Sequence, residues 1–309
     1  MKKVYSLFLI AVLLLACKQA NRQTDKNDGK PIITVTIEPL RYFTEAIAGD
    51  KFSVVSMVPK GMSPETYDPT PGQLVDLAKS KAYFRIGYIG FELTWIEKLT
   101  DNAPHLHFYD MSKGVELISD DSHAHRHDEG DNHTHAAHDH ASGIEPHIWN
   151  SATNAQLIAG NILHALCTLD KENEAFYTKR YQNLIRKIEH TDDLVCQMLS
   201  AGNADRAFMI YHPALSYFAR DYDLRQIPIE ASGKEPSPAH LKELIKTCKA
   251  EKVRIIFIQP EFDRRNAELI ARQTGTQVVS INPLSYDWEE EMLNVAKSLS
   301  SNSAETARE

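Results

Sequence analysis

The sequence predicts an α/β protein of two similar halves, each built on a parallel-rich sheet and joined by one long rigid helix. Three observations carry that expectation. From Pro31 onward, short apolar runs alternate with amphipathic stretches, the pattern of β-α units that pair as parallel strands. The same alternation resumes after residue 202. Between the halves, residues 171–201 contain neither Gly nor Pro, so nothing local interrupts a helix. The 309 residues suffice for two domains. An apolar fraction of 42% against 25% charged residues places most of the chain in folded cores.

Residues 1–16 read as a signal peptide. Lys2 and Lys3 precede an apolar run, Val4 to Ala16, too short to span a bilayer as a helix. The run ends Leu14-Leu15-Ala16-Cys17, which resembles a bacterial lipobox with Cys17 as the lipidated residue. Residues 17–30, polar throughout, then form a tether. Losing Lys2 and Lys3 takes the formal net charge from −8 to −10. An acidic protein of this kind offers no basic face to nucleic acid.

The fold starts at Pro31, and residues 31–170 form the first domain. "PIITVTIEP" is a strand ended by Pro39, and "LRYFTEAIAG" a helix with a Gly stop. "KFSVVSMVP" is a second strand, and "PGQLVDLAKSK" a helix with Pro near its start. "AYFRIG" and "HLHFYDM" are further strands. The loop 113–145 has no apolar period, and a loop this long within a domain is functional or disordered. It holds seven of the fourteen histidines: His123, His125, His127, His133, His135, His138 and His140. A helix follows in "WNSATNAQLIAGNILHAL", capped by Asn150 or Ser151.

The linking helix, 171–201, carries an apolar seam at Tyr177, Tyr181, Leu184, Ile188, Thr191, Val195 and Met198. Its alternating spacings of four and three residues mark one buried face. A coiled-coil dimer is the competing reading, weakened by Thr191 in the seam, so a monomer is expected. Residues 202–309 repeat the α/β order. "RAFMIYH", "LRQIPIE", "VRIIFIQ" and "TQVVSIN" are strands, alternating with helices in "PALSYFARDY", "SPAHLKELIKTCKAE" and "RRNAELIARQTG". A last helix begins near Asp287. Cys167, Cys196 and Cys248 show no C-x-x-C spacing, so a thiolate zinc site is not expected. Either one disulfide or three small buried residues would account for them.

Ligands of open α/β sheets collect at the carboxyl ends of the strands, and metal-capable residues stand there. Glu65 follows the second strand in "PKGMSPETYDPTP", and His147 precedes a helix in "EPHIWN". His212 ends "RAFMIY", and Asn282 ends "TQVVSI". With the two sheets facing one another at these ends, all four would converge in the cleft between the domains. Asp287 is a further candidate for a fourth ligand, as is a loop histidine. There is no H-E-x-x-H helix and no phosphate-binding Gly-rich loop, so no enzyme is expected. His105 and His107 read as strand residues; His164, His190 and His240 read as ordinary helix residues.

Three segments, "PHIWNS", "YHPALSYFARDY" and "SGKEPSPAHLKELI", together resemble the ZnuA/TroA-like metal-binding receptors of bacterial ABC uptake systems. The likeness covers about residues 32–300. It implies two α/β domains joined by a long helix, with a metal ion between them, and it implies that His147 and His212 are ligands. Glu65 stands where zinc-type relatives place a histidine, and Asn282 stands near a position where many have a carboxylate. Two imidazoles with a carboxylate accept zinc, and also Mn2+ or Fe2+; the imidazole-rich loop favours Zn2+. The implied partners are a membrane permease and its cytoplasmic ATPase. The implied location is the periplasm or surface of a bacterium, held by lipid on Cys17. A surface adhesin and a metal buffer are the alternative roles.

Overall fold

The computed structural model describes residues 29–119, 143–200, 204–231 and 233–300. The expected signal peptide, Cys17 and the seven loop histidines lie outside the described residues.

The first lobe contains β1 (Ile32–Val35), α1 (Glu38–Ala48), β2 (Ser53–Ser56) and α2 (Pro71–Leu77), then β3 (Ala82–Arg85), α3 (Gly90–Asn102), β4 (His107–Asp110) and α4 (Ala152–Leu169). A single 3-10 turn, Lys171–Asn173, leads into the long α5 (Glu174–Leu199). The second lobe contains β5 (Ala207–Ile210), α6 (Ser216–Asp221), β6 (Arg225–Pro228) and α7 (Pro238–Ala250). It continues with β7 (Ile255–Ile258), α8 (Arg265–Thr274), β8 (Gln277–Ser280) and α9 (Trp288–Leu299). The sheet orders are β2-β1-β3-β4 and β6-β5-β7-β8, parallel in every pair. Each sheet therefore changes its direction of growth once, between β1 and β3 and between β5 and β7. The carboxyl ends of those strand pairs are where such a sheet opens a crevice.

The anticipated strands all form, and α3 is an element that the sequence reading passed over. Only two of its five apolar residues are fully buried. Phe91 and Leu99 are buried with the carboxylate of Glu92, while Leu93 faces solvent. The cap of α4 is Ser151, whose hydroxyl accepts the Asn154 N–H. In α2, Thr70 and Gln73 form a reciprocal capping box.

One continuous core joins the two sheets. Alternate residues of β5 and β7 explain how, since neighbours along a strand point to opposite faces. Phe208, Ile210, Ile255 and Phe257 turn to the shared core beside Ile33, Phe84 and Trp288. Met209, Tyr211, Ile256 and Ile258 turn to a smaller core with Leu244 of α7 and Ile270 of α8. α5 packs against α1, α4 and α9, burying Tyr177, Leu184, Ile188, Thr191, Val195 and Leu199. Each large apolar side chain buried this way contributes roughly 1.5–3 kcal/mol. Packing of the seam, rather than local helix propensity, thus holds α5 in place. Tyr181 and Met198 are half-buried at its margin.

The expected strand histidines sit at the far end from the crevice. His107 begins β4 and is exposed, and His105 bonds through Nε2 to the Ala78 carbonyl at 2.9 Å. His164 and His190 are exposed on helices, and His240 lies in the first turn of α7. No helix among the described residues is long and apolar enough to cross a membrane.

Gly49 ends α1 with φ +60° and ψ −127°. A Cβ there would lie 2.9 Å from Cζ of Phe176 and 3.0 Å from Nε of Arg180. Gly49→Ala is expected to cost about 1–3 kcal/mol, from the backbone conformation together with that contact. Urea denaturation of the two proteins measures it.

Candidate metal centre

The second lobe contributes a histidine fixed on every side. β5 and β7 pair up to Phe257, whose carbonyl accepts the Tyr211 N–H at 3.0 Å. Beyond that point the amide of Gln259 continues the ladder with its side chain. Its Nε2 donates to the His212 carbonyl at 2.6 Å, and its Oε1 accepts the His212 N–H at 3.3 Å. Phe262 stacks on the imidazole, with ring centres 5.4 Å apart and planes inclined at 22°. Glu230, just after β6, meets His212 Nδ1 through Oε1 at 2.9 Å.

His147 is held in the same manner from the turn before α4. Oε1 of Glu145 accepts the His147 N–H at 3.0 Å and also bonds Nδ1 of its ring. The other Glu145 oxygen accepts the Ser216 hydroxyl at 3.0 Å. The edge of Trp149 packs on the ring at 5.2 Å between centres. His147 is only 5% exposed.

With both Nδ1 atoms committed to carboxylates, the two Nε2 atoms face each other at 3.3 Å. Two lone pairs so close repel unless a proton or a metal ion lies between or beside them. Two nitrogens on one tetrahedral zinc, each at about 2.0–2.1 Å, are about 3.3–3.4 Å apart. The separation matches the one that a shared metal ion requires, and is also that of a hydrogen bond when one ring carries a proton on Nε2. Burial alone would hold the His147 imidazole below its ordinary pKa. Glu145, and behind it Glu65 and Glu230, outweigh burial and raise it. Glu145 shifts the opposite way, since its pairing with His147 and Ser216 overrides the upward push of burial.

Glu65 comes from the turn that follows β2. Its Oε2 accepts the Gly90 N–H at 3.1 Å, and the neighbouring Pro64 carbonyl accepts the Phe91 N–H at 2.9 Å. Its Oε1 is buried with no hydrogen-bond partner, an expensive state for a carboxylate oxygen unless something charged binds it. The Gly90 turn is itself braced from below. Glu92, fully buried, accepts the Ile86 N–H at 2.9 Å, the Gly87 N–H and the Thr36 hydroxyl. Burial raises its carboxyl despite these donors.

Glu65, His147 and His212 line one cavity of about 30 Å³ with Glu261, Phe262 and Leu284. That volume is on the scale of a single water or ion rather than an organic ligand. Among the described residues, no three His, Cys, Asp or Glu side chains yet close on a common point. The imidazole pair is set, and Glu65 stands in the wall beside it. Asn282 and Asp287 are not brought to that wall. Oδ1 of Asn282 is bonded to the Leu284 N–H at 3.1 Å, and Asp287 is exposed where α9 begins. Sequence reasoning missed Glu145, Glu230, Gln259 and Glu261. Glu145 had a signal, two residues before a histidine in "EPHIWN", whereas the other three become neighbours of His212 only through the β6-β5-β7 order.

A family model described as "Zinc-uptake complex component A periplasmic" matches residues 33–302. The chain is 27% identical over 296 residues to the high-affinity zinc uptake system protein ZnuA of Bacillus subtilis, covering 92% of this chain and 89% of that one. It is 25% identical over 283 residues to the manganese ABC transporter substrate-binding lipoprotein ScaA of Streptococcus gordonii, covering 88% and 86%. A crystal structure of a ZnuA superposes with a TM-score of 0.78 at 33% identity, over 87% of this chain and 97% of that one.

Gly90 tests the placement of Glu65. A Cβ at this position would lie 2.7 Å from both the carbonyl oxygen and Oε2 of Glu65. One of those atoms is backbone, so the Glu65 turn itself must shift, and Gly90→Ala should lower thermal stability and displace Glu65 together. Competition with a chromogenic chelator should show zinc binding weakened about tenfold or more.

Proposed function

Because this chain belongs to the periplasmic zinc-uptake complex component A family, we propose that it is an extracytoplasmic receptor for one divalent metal ion, zinc. It would hand the ion to a membrane permease driven by a cytoplasmic ATPase. The observation that carries the reading is the His147–His212 pair: one buried and one half-buried imidazole, each braced by a carboxylate, with Nε2 atoms 3.3 Å apart. The proposed ligands are those two nitrogens and Oε1 of Glu65. The ion is cargo rather than a catalytic cofactor, so no enzymatic role is proposed.

Zinc is supported by the donor set and by relatives named for zinc. Manganese or iron(II) is the second reading, favoured by the carboxylate at Glu65 and by a relative named for manganese. Export with lipidation at Cys17 would keep the receptor beside its permease, since several acyl chains anchor a protein stably where one does not. The seven loop histidines would gather or sense zinc and pass it along.

Purified protein should carry about one tightly bound ion by elemental analysis. His147→Ala together with His212→Ala should abolish that tight site in calorimetric titration with Zn2+. Survival of tight binding in the double variant would place the site elsewhere. Metal requires neutral imidazole, and the His147 pKa is raised in the metal-free protein. Affinity should therefore be full above that raised value and fall as pH drops through it. Replacing Glu145 with Gln should move the fall to lower pH.

A further inference from the structure

Resting on the metal-receptor reading above, we propose that Glu261 supplies the fourth ligand, closing the site as two imidazoles and two carboxylates. Glu261 lies in the turn that leaves β7, and the residues two before it and one after it both serve His212. Gln259 clasps the His212 peptide, and Phe262 stacks on its ring. Glu261 lines the same cavity as Glu65, His147 and His212. Its carboxylate accepts its own backbone N–H and lies within electrostatic reach of His212, and among the described residues no other side chain bonds it. Four oxygen and nitrogen donors in this arrangement suit a tetrahedral dication. Two carboxylates balance its charge within a cavity too small to hold a hydration shell.

The position also fits the topology. His212 and Glu261 follow β5 and β7, the two strands that flank the switch point of the second sheet. The strands adjacent at that crevice would thus each send one ligand into it. The residues considered from sequence for the fourth place do not line that cavity: Asn282 turns Oδ1 to the Leu284 N–H, and Asp287 is exposed.

The test uses the full chain and its Glu261→Gln and Glu261→Asp variants, titrated separately with Zn2+ and Co2+. Cobalt adds a spectroscopic readout, because its visible bands report coordination number and donor type. Glu261→Gln is expected to lower Zn2+ affinity by about tenfold or more and to change the Co2+ spectrum. Glu261→Asp is expected to recover part of both. Unchanged affinity, or weaker binding with an unchanged cobalt spectrum, overturns the proposal, since the second result would mean that Glu261 acts only through its charge. The His147/His212 double variant is titrated in parallel. Loss of tight binding there with no effect at Glu261 would sink the fourth ligand and leave the receptor reading standing. Retention of tight binding in the double variant would overturn both.

Discussion

A histidine offers a metal its lone pair only when the other ring nitrogen is committed elsewhere. Glu145 makes that commitment for His147, and Glu230 makes it for His212. Such outer carboxylates fix both the tautomer and the orientation of a ligating ring. The consequence reaches across the whole cleft. Two rings, from elements separated by 65 residues, place their Nε2 atoms 3.3 Å apart. A shift of one ångström in either element would dissolve the pair, so the fold must hold these elements in register more tightly than packing of two independent lobes would require.

The hydrogen bonds around His147 show how that is done. Its turn comes from the first half of the sequence, yet its bonds run to the second. Asn150 donates to the Ala214 carbonyl at 2.8 Å, and Tyr217 donates to the Glu145 carbonyl at 2.9 Å. Trp149 donates to the Pro283 carbonyl and Trp288 to the Trp149 carbonyl, both at 2.7 Å. His147 and His212 thus share one frame. Glu65 is the exception, carried on the turn after β2 and tied through Gly90 and Phe91 to the first lobe alone. α5 and the common core leave little room for wide hinge opening. Movement of the Glu65 turn against the fixed histidine pair is the smallest displacement that would unmake the proposed site.

The strands and the long helix were legible because their signals are local. Four short apolar runs per half read as buried strands, and the seam of α5 repeats over six turns. α3 was not legible, for its buried positions are two apolar residues and a carboxylate, and Glu92 is buried only because three donors await it. At the site, His147, His212 and Glu65 could be singled out as metal-capable residues beside strand ends. The carboxylates behind the histidines could not, except for the E-x-H spacing of Glu145. Glu230 and Glu261 stand 18 and 49 residues beyond His212 in the sequence. Only the order β6-β5-β7 makes them its neighbours.

The two departures from the resembled pattern acquire a common explanation in charge. A carboxylate at position 65 in place of an imidazole adds one negative charge to the cleft. Asparagine at position 282 in place of a carboxylate removes one. Separately, each would change the cost of placing a dication in a cavity the size of one ion, where charge is screened far less than in water. At these two positions the sum is unaltered, and beside the proposed Glu261 of the second lobe the first lobe gains a negative oxygen, that of Glu65. That oxygen now sits on the one wall of the site that is not stitched to the histidine frame. Charge balance and release of cargo would then rest on the same side chain, because withdrawing Glu65 would remove a ligand and half of the neutralising charge of the proposed set in one movement.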